Sequence, residues 1–246
     1  MSKVNYNEIS QVYDDVRQAD IELINSFLQE IEIEEKTRVL DIGCGTGNYT
    51  DSLQKITQGE VYGVEPSKGM LGKAKAKQSK VVFKQGNAAD LPFEDEIFDF
   101  VYMTDVIHHV PEIGAMFAEI NRVLKEKGRV CIVTQSHQQI ENRPIARFFP
   151  GTVAVDKRRY PDIPEIIVNS EDQGLKLVKN AVLNENARIE LGQEFLELAK
   201  KKGYSMLHLI SDEEYYKGLQ QLETELVKGK ITVKLSGDTM VWLTKA

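Results

Sequence analysis

The stretch Arg38-Val-Leu-Asp-Ile-Gly-Cys-Gly-Thr-Gly-Asn48 decides the fold of this chain. Arg38 to Ile42 is a short apolar run of strand type, the glycines at 43, 45 and 47 make a turn, and Asn48 onward reads as helix. Glycine has no Cβ, so such a loop takes positive φ and lets a ligand lie against bare backbone. The helix start behind it offers N–H groups with no partner in the helix. The segment suits a small polar ligand.

Spacing narrows the ligand. A dinucleotide loop runs G-x-G-x-x-G, with the third glycine inside the helix and an acidic residue roughly 20 positions further on for the ribose. Here the pattern is G-x-G-x-G, and Asp41 stands two residues before the first glycine. The next apolar run, Glu60-Val-Tyr-Gly-Val-Glu65, ends in a carboxylate where a ribose diol needs its acceptor. Loop, Asp41 and Glu65 together point to an adenosine-type ligand.

Outward from this stretch the chain alternates. Strands are expected at 37–42, 60–65, 81–85, 98–104 and 128–134, and helices at 48–57, 67–77 and 113–125. Such alternation implies an α/β fold, a Rossmann-like, mostly parallel sheet with helices on both faces and the ligand outside the strands' C-terminal ends. Upstream, Ile9, Val12, Tyr13 and Val16 recur at helical spacing, and Asp20 to Ile31 repeats the pattern behind an Asp cap. Downstream, Pro144, Pro150, Pro161 and Pro164 argue against long elements in 136–172. Residues 175–183 read as a strand, 188–202 and 212–228 as helices, and 239–244 as a final strand. The expected organisation is one domain: cap helices in 1–36, a cofactor-binding half in 37–134, an inserted lid in 135–174 and a C-terminal half in 175–246.

Four motifs in order resemble the class I S-adenosylmethionine-dependent methyltransferases, in the branch like the ubiquinone and menaquinone C-methyltransferases. They are DIGCGTG at Asp41 to Gly47, GVEPSKGM at Gly63 to Met70, GNAADLPF at Gly86 to Phe93, and FDFVYMTDVIHHV at Phe98 to Val110. The resemblance implies a seven-stranded sheet whose last strand is antiparallel, and S-adenosylmethionine as cofactor. It implies that Gly43, Cys44, Gly45 and Gly47 pass under the methionine part, that Asp41 orders that end, and that Glu65, followed by Pro66, binds the ribose. Met70 covers the adenine or else fills the core. Asn87 stands where the family usually has Asp; its side-chain oxygen still accepts from an adenine amino group, with Ala88 beside it. Backbone at Met103 and Thr104 lines the cofactor. Tyr13 and Arg17 match a signature that closes over it, and share one helix face at spacing i, i+4.

Asp105, His108 and His109 are the ionisable groups clustered after the fourth strand, and with Tyr13 they are the catalytic candidates. A histidine near neutral pKa is a suitable base, and a helix cap near Pro111 is the structural alternative. Arg143, Arg147, Lys157, Arg158 and Arg159 are a local basic excess in an acidic chain. Either they form a solvated face, or one or two of Arg143, Arg147, Arg158 and Arg159 clamp an anionic acceptor while Phe148, Phe149 and Tyr160 wall it.

The composition excludes several classes. The net charge of −7, with no basic tail, argues against tight binding to a phosphate backbone. No apolar run approaches a membrane span and the N-terminus has no apolar leader core, which reads as cytoplasmic. Two dispersed cysteines, Cys44 and Cys131, fit a reduced compartment and supply neither a metal site nor an arsenic-binding thiolate set. The function expected is methyl transfer to a small molecule, with an anionic group on the acceptor as an open option. The rivals are a protein or RNA methyltransferase, a non-catalytic cofactor-binding protein, and a nicotinamide oxidoreductase disfavoured by the glycine spacing.

Overall fold

The structure is a computed structural model that describes residues 19–245. Tyr13 and Arg17 lie outside the described residues. Helix α1 (Ile21–Glu30) starts where Asp20 accepts the Glu22 N–H at 2.8 Å, and it buries Leu23, Ile24 and Phe27 on one face. The alternating half follows as β1 (Arg38–Ile42), α2 (Asn48–Thr57), β2 (Glu60–Glu65), α3 (Lys68–Ala76), β3 (Val82–Gln85), β4 (Phe98–Thr104), α4 (Ile113–Val123) and β5 (Leu124–Thr134). After it come α5 (His137–Glu141), α6 (Gly151–Arg159), α7 (Ile163–Asp172), β6 (Leu175–Leu183), β7 (Arg188–Leu191), α8 (Gln193–Lys200), α9 (Asp212–Leu226), β8 (Ile231–Lys234) and β9 (Asp238–Lys245).

Seven strands form one sheet in the order β3-β2-β1-β4-β5-β9-β6. β1 pairs in parallel with β2 on one side and with β4 on the other, so the strand order reverses between β1 and β4. That reversal opens a crevice at the strands' C-terminal ends, where open α/β sheets bind ligands. Both faces of the sheet are covered. On one, Leu40, Ile42, Val101, Met103, Val130 and Ile132 belong to a core with Met116, Phe117 and Ile120 of α4 and Ile166 of α7. On the other, Phe27 of α1 meets Phe100, Tyr102 and Trp242, with ring centroids 5.0 Å apart for Phe27 and Tyr102 and 5.8 Å for Phe100 and Trp242. The alternation of side chains along a strand assigns β4 residues to these two faces in turn.

The chain divides into two compact units. One holds the described residues 19–134, 163–181 and 240–245; the other holds 135–162 and 182–239. The expected insertion of 135–174 is therefore shorter at its end, because α7 packs its buried Ile166 into the sheet unit's core. The elements within 136–172 are short helices of at most 10 residues. Pro144 opens a 3-10 turn, Pro150 immediately precedes α6, and Pro164 sits in the first turn of α7. At these positions a missing N–H removes no helical hydrogen bond.

A second correction concerns 188–202. Its first part is β7, paired antiparallel with β8, which the sequence reading did not identify; only after Gly192 does α8 begin. Arg188-Ile-Glu-Leu191 alternates with period two, a pattern that four residues make too short to separate from the start of a helix. The second unit has its own core of Ile145, Phe148, Phe149, Leu196, Leu207, Tyr215 and Leu222.

Candidate functional site

The loop between β1 and α2 carries three glycines in the left-handed region, at φ 73, 56 and 79° for Gly43, Gly45 and Gly47. Two of these positions also lack room for a side chain. A Cβ on Gly43 would lie 2.5 Å from Val106 Cγ2, and one on Gly47 would lie 2.8 Å from Phe83 Cζ. The loop is laced to β2: Gly43 and Cys44 donate their N–H groups to the Val64 carbonyl at 2.8 and 3.1 Å, and Gly45 donates to Glu65 Oε2 at 3.1 Å. Glu65 also accepts the Ser67 N–H on Oε1 at 2.8 Å, so one carboxylate ties the loop to the start of α3. Burial pushes the Glu65 carboxyl up, and these two N–H groups hold it back.

Asp41 is more deeply placed, at 3% exposure on β1. Its Oδ2 accepts from Thr50 Oγ1 at 2.6 Å and from the Tyr102 hydroxyl at 3.0 Å. Burial is the main influence and the charge of Glu65 adds to it, so the Asp41 carboxyl is pushed up to about 7 despite the two hydroxyl donors. The sign of the linkage follows. The folded protein holds this proton more tightly than the unfolded chain, so the Asp41 contribution to stability is greatest in acid and is lost as pH rises from about 4 to about 7. Cys44 is buried with its thiol pushed up, chiefly by burial, and is not poised as a nucleophile.

The remaining expected cofactor residues surround the same strand ends. Met70 is 2% exposed, where it serves the core, and Pro66 is exposed. Asn87 already uses its side-chain oxygen locally, accepting the Ala89 N–H at 2.9 Å, so a ligand would have to share that oxygen or take the amide. The loop after Asn87 is braced from α4, a role the sequence reading missed. Arg122 donates to the carbonyls of Leu91 and Phe93 at 3.0 and 2.8 Å, and Glu119 accepts the Leu91 N–H at 2.8 Å. The missed Thr50 and Tyr102 left no signal, since a threonine in a first helical turn and an aromatic in a strand are ordinary in sequence.

At the end of β4, Met103 is fully buried and the Thr104 hydroxyl is buried without a hydrogen-bond partner. Asp105 takes φ 56° while its N–H donates to the Val133 carbonyl at 3.1 Å, an uncommon backbone state for a residue with a side chain. Ile107–His109 is a 3-10 turn anchored by the buried Ile107, and the His108 and His109 rings lie 3.9 Å apart, with His109 exposed. The N-cap of α4 is Glu112, whose side chain makes no capping bond.

A family model described as a methyltransferase domain matches residues 40–132, which span the glycine loop, Asp41, Glu65, Asn87 and the end of β4. Over residues 40–132 the chain is similar to a methyltransferase domain. The demethylmenaquinone methyltransferase of Staphylococcus saprophyticus is 40% identical over 113 residues, which are 44% of this chain and 48% of that protein. The chain thus spans about half the length of the curated relatives it matches. Among solved structures, a protein of Anabaena variabilis assigned to methyl transfer in an antibiotic biosynthesis pathway superposes with TM-score 0.77 at 22% identity, covering 94% of this chain and 99% of the other. Geranyl diphosphate methyltransferase in complex with S-adenosylmethionine gives TM-score 0.58 at 15% identity, covering 92% of this chain and 85% of the other. At these identities the likeness is one of fold.

The residues present fit S-adenosylmethionine, the ligand of the geranyl diphosphate methyltransferase structure. A loop that excludes Cβ atoms offers backbone to the ligand, and Asp41 and Glu65 stand as acceptors at the strand ends beside it. Among the described residues no group of His, Cys, Asp and Glu is arranged to hold a metal ion, and no helix is long and apolar enough to cross a membrane.

The basic residues of the second unit are not arranged as the anion clamp expects. Asp156, at 1% exposure, is ion-paired with Arg143 on Oδ2 and with Arg159 on Oδ1, the latter at 3.0 Å. Arg143 also donates to Gln135 and stacks over the Tyr160 ring at 5.0 Å, and Arg159 donates to Ser205 at 3.1 Å. Arg147 pairs with Glu225 at 2.5 Å and Lys157 with Glu141 at 2.5 Å, whereas Arg158 is exposed. Phe148 and Phe149 are core residues of this unit. Most of the clamp is therefore engaged with the protein's own carboxylates.

Proposed function

We propose that this protein transfers the methyl group of S-adenosylmethionine to a small-molecule acceptor. The observation that carries the reading is the placement of Asp41, Glu65 and the Cβ-excluding glycine loop together at the sheet's order reversal. When bound, the cofactor supplies an electrophilic methyl carbon for in-line displacement by the acceptor's nucleophile. The chain's part is binding and orientation, which in well-positioned systems account for about 7–11 kcal/mol of a barrier. In this reading Glu65 takes the ribose hydroxyls, Asp41 the amino end of the methionine part, and the backbone of Met103 and Thr104 lines the ligand. Asp105 and the paired histidines are the groups available to hold or remove a proton on the acceptor.

The name of the staphylococcal relative supports screening quinone-like aromatic acceptors first. Among the described residues the anionic option keeps only Arg158 without a carboxylate partner in its support, so small carboxylates and phosphates come second. The cytoplasmic placement belongs to this reading too, supported by two buried, unbridged cysteines.

Calorimetric titration with S-adenosylmethionine, S-adenosylhomocysteine and NAD tests the reading. Binding of both adenosyl ligands and not of NAD is expected, and binding of NAD alone would overturn it. A role for His109 as base is tested separately. His109→Ala should lower kcat by roughly 10²–10⁴-fold while thermal stability stays within about 0.5 kcal/mol, as for an exposed surface position. A stability loss well beyond that, with kcat preserved, would make the residue structural.

A further inference from the structure

We propose that Tyr102 and Thr50 are positioning residues of the cofactor site, fixing Asp41 so that its Oδ1 receives the cationic end of the bound ligand. The inference rests on the cofactor reading above and extends it to two side chains assigned no contact with the ligand. Both hydroxyls converge on the same carboxylate oxygen, Thr50 Oγ1 at 2.6 Å and the Tyr102 hydroxyl at 3.0 Å from Oδ2. Oδ1 takes neither, and no hydrogen bond is made to it among the described residues.

Neither donor is free to follow the carboxylate elsewhere. The Tyr102 ring is fully buried, 5.0 Å from Phe27 and stacked 5.7 Å from Phe100, so its hydroxyl is held on one line. Thr50 sits fully buried in the first turn of α2, directly behind the glycine loop. A carboxylate held at one oxygen by two rigid donors has a fixed plane, and its second oxygen has a fixed direction.

The electrostatics agree with this geometry. Three other titratable groups act on Asp41 among the described residues: Glu65 at the end of β2, Cys44 in the loop, and Tyr102 itself on β4. Glu65 opposes ionisation of Asp41, and only the hydroxyls of Thr50 and Tyr102 favour it. An anion at position 41 therefore depends on those two donors until a cation arrives, and an incoming ammonium group completes it. The site so built discriminates for the amino-acid end of the ligand and is indifferent to its adenosine end.

The test compares two ligands on the full chain. S-adenosylhomocysteine carries the ammonium; 5′-methylthioadenosine has the adenosine and thioether but lacks the amino-acid part. By calorimetry at pH 7, Tyr102→Phe, which keeps the ring packing, should weaken S-adenosylhomocysteine about tenfold and leave methylthioadenosine unchanged, and Thr50→Val should do the same. Removing a donor disfavours the anion, so the rise of S-adenosylhomocysteine affinity with pH should move about one unit upward, the same factor of ten seen along the pH axis. Equal weakening of both ligands would make Tyr102 a packing residue and overturn the inference, as would unchanged S-adenosylhomocysteine affinity in both variants. If the wild-type protein binds neither ligand, the cofactor reading itself fails, and this inference with it, so the two failures are told apart.

Discussion

Glu65→Ala should weaken S-adenosylmethionine binding by roughly tenfold to a hundredfold, the equivalent of the ~1.5–3 kcal/mol that a hydrogen bond to a charged group contributes. Two effects add in this variant. The ribose loses its acceptor, and the Gly45 and Ser67 N–H groups, now held at 3.1 and 2.8 Å, lose theirs. Glu65→Gln separates them, since its amide oxygen can still accept one N–H but carries no charge. Calorimetry should rank wild type above Gln and Gln above Ala. Affinity unchanged in Glu65→Ala would remove Glu65 from the site, whatever its burial.

Asp156→Ala should be the most damaging single change in the second unit, costing about 3–5 kcal/mol, because it strands two guanidinium groups beside a vacated pocket. The Arg143 and Arg159 side chains are only 11% and 16% exposed, so water cannot replace the carboxylate fully. Arg143 also donates to Gln135 and Arg159 to Ser205, neutral oxygens that do not neutralise charge. Chemical denaturation followed by two probes, one per unit, measures the loss without assuming that both units unfold together. A loss below ~1 kcal/mol, the range of an exposed ion pair, would show that the network is solvated and leave its arginines available to an acceptor. Retained stability and a raised acceptor KM in the same variant would then revive the anion clamp.

These expectations differ in how far they were visible beforehand. Glu65 was legible because its position is tied to the glycine loop by chain distance: strand, loop, helix and strand have narrow lengths in a βαβ unit, so the next strand's end falls beside the loop. The same local rules placed β1 to β4 and the helices between them close to their observed bounds and marked Asp20 as a cap, whereas β5 begins at Leu124, four residues before its expected start at 128. Where two local patterns compete in a few residues, as in Arg188–Leu191, the reading took the helix and missed an antiparallel strand pair whose partner lies about 40 residues away in sequence. The prolines of 144–164 were read as breakers because their placement at helix starts depends on where neighbouring elements begin.

The sequence by itself determined the alternating α/β architecture, the glycine loop and the carboxylates at the ends of β1 and β2, because each follows from residue types at short, fixed spacing. Only the tertiary structure decided what holds those groups. Asp41 and Tyr102 stand 61 residues apart in the chain yet bond at 3.0 Å, since β1 and β4 pair in register. Arg143 and Arg159 read as part of a basic excess until folding brings both cations onto the buried carboxylate of Asp156. Charge and hydroxyl groups have no periodicity of their own; their partners are chosen by packing, and packing is a property of the folded chain.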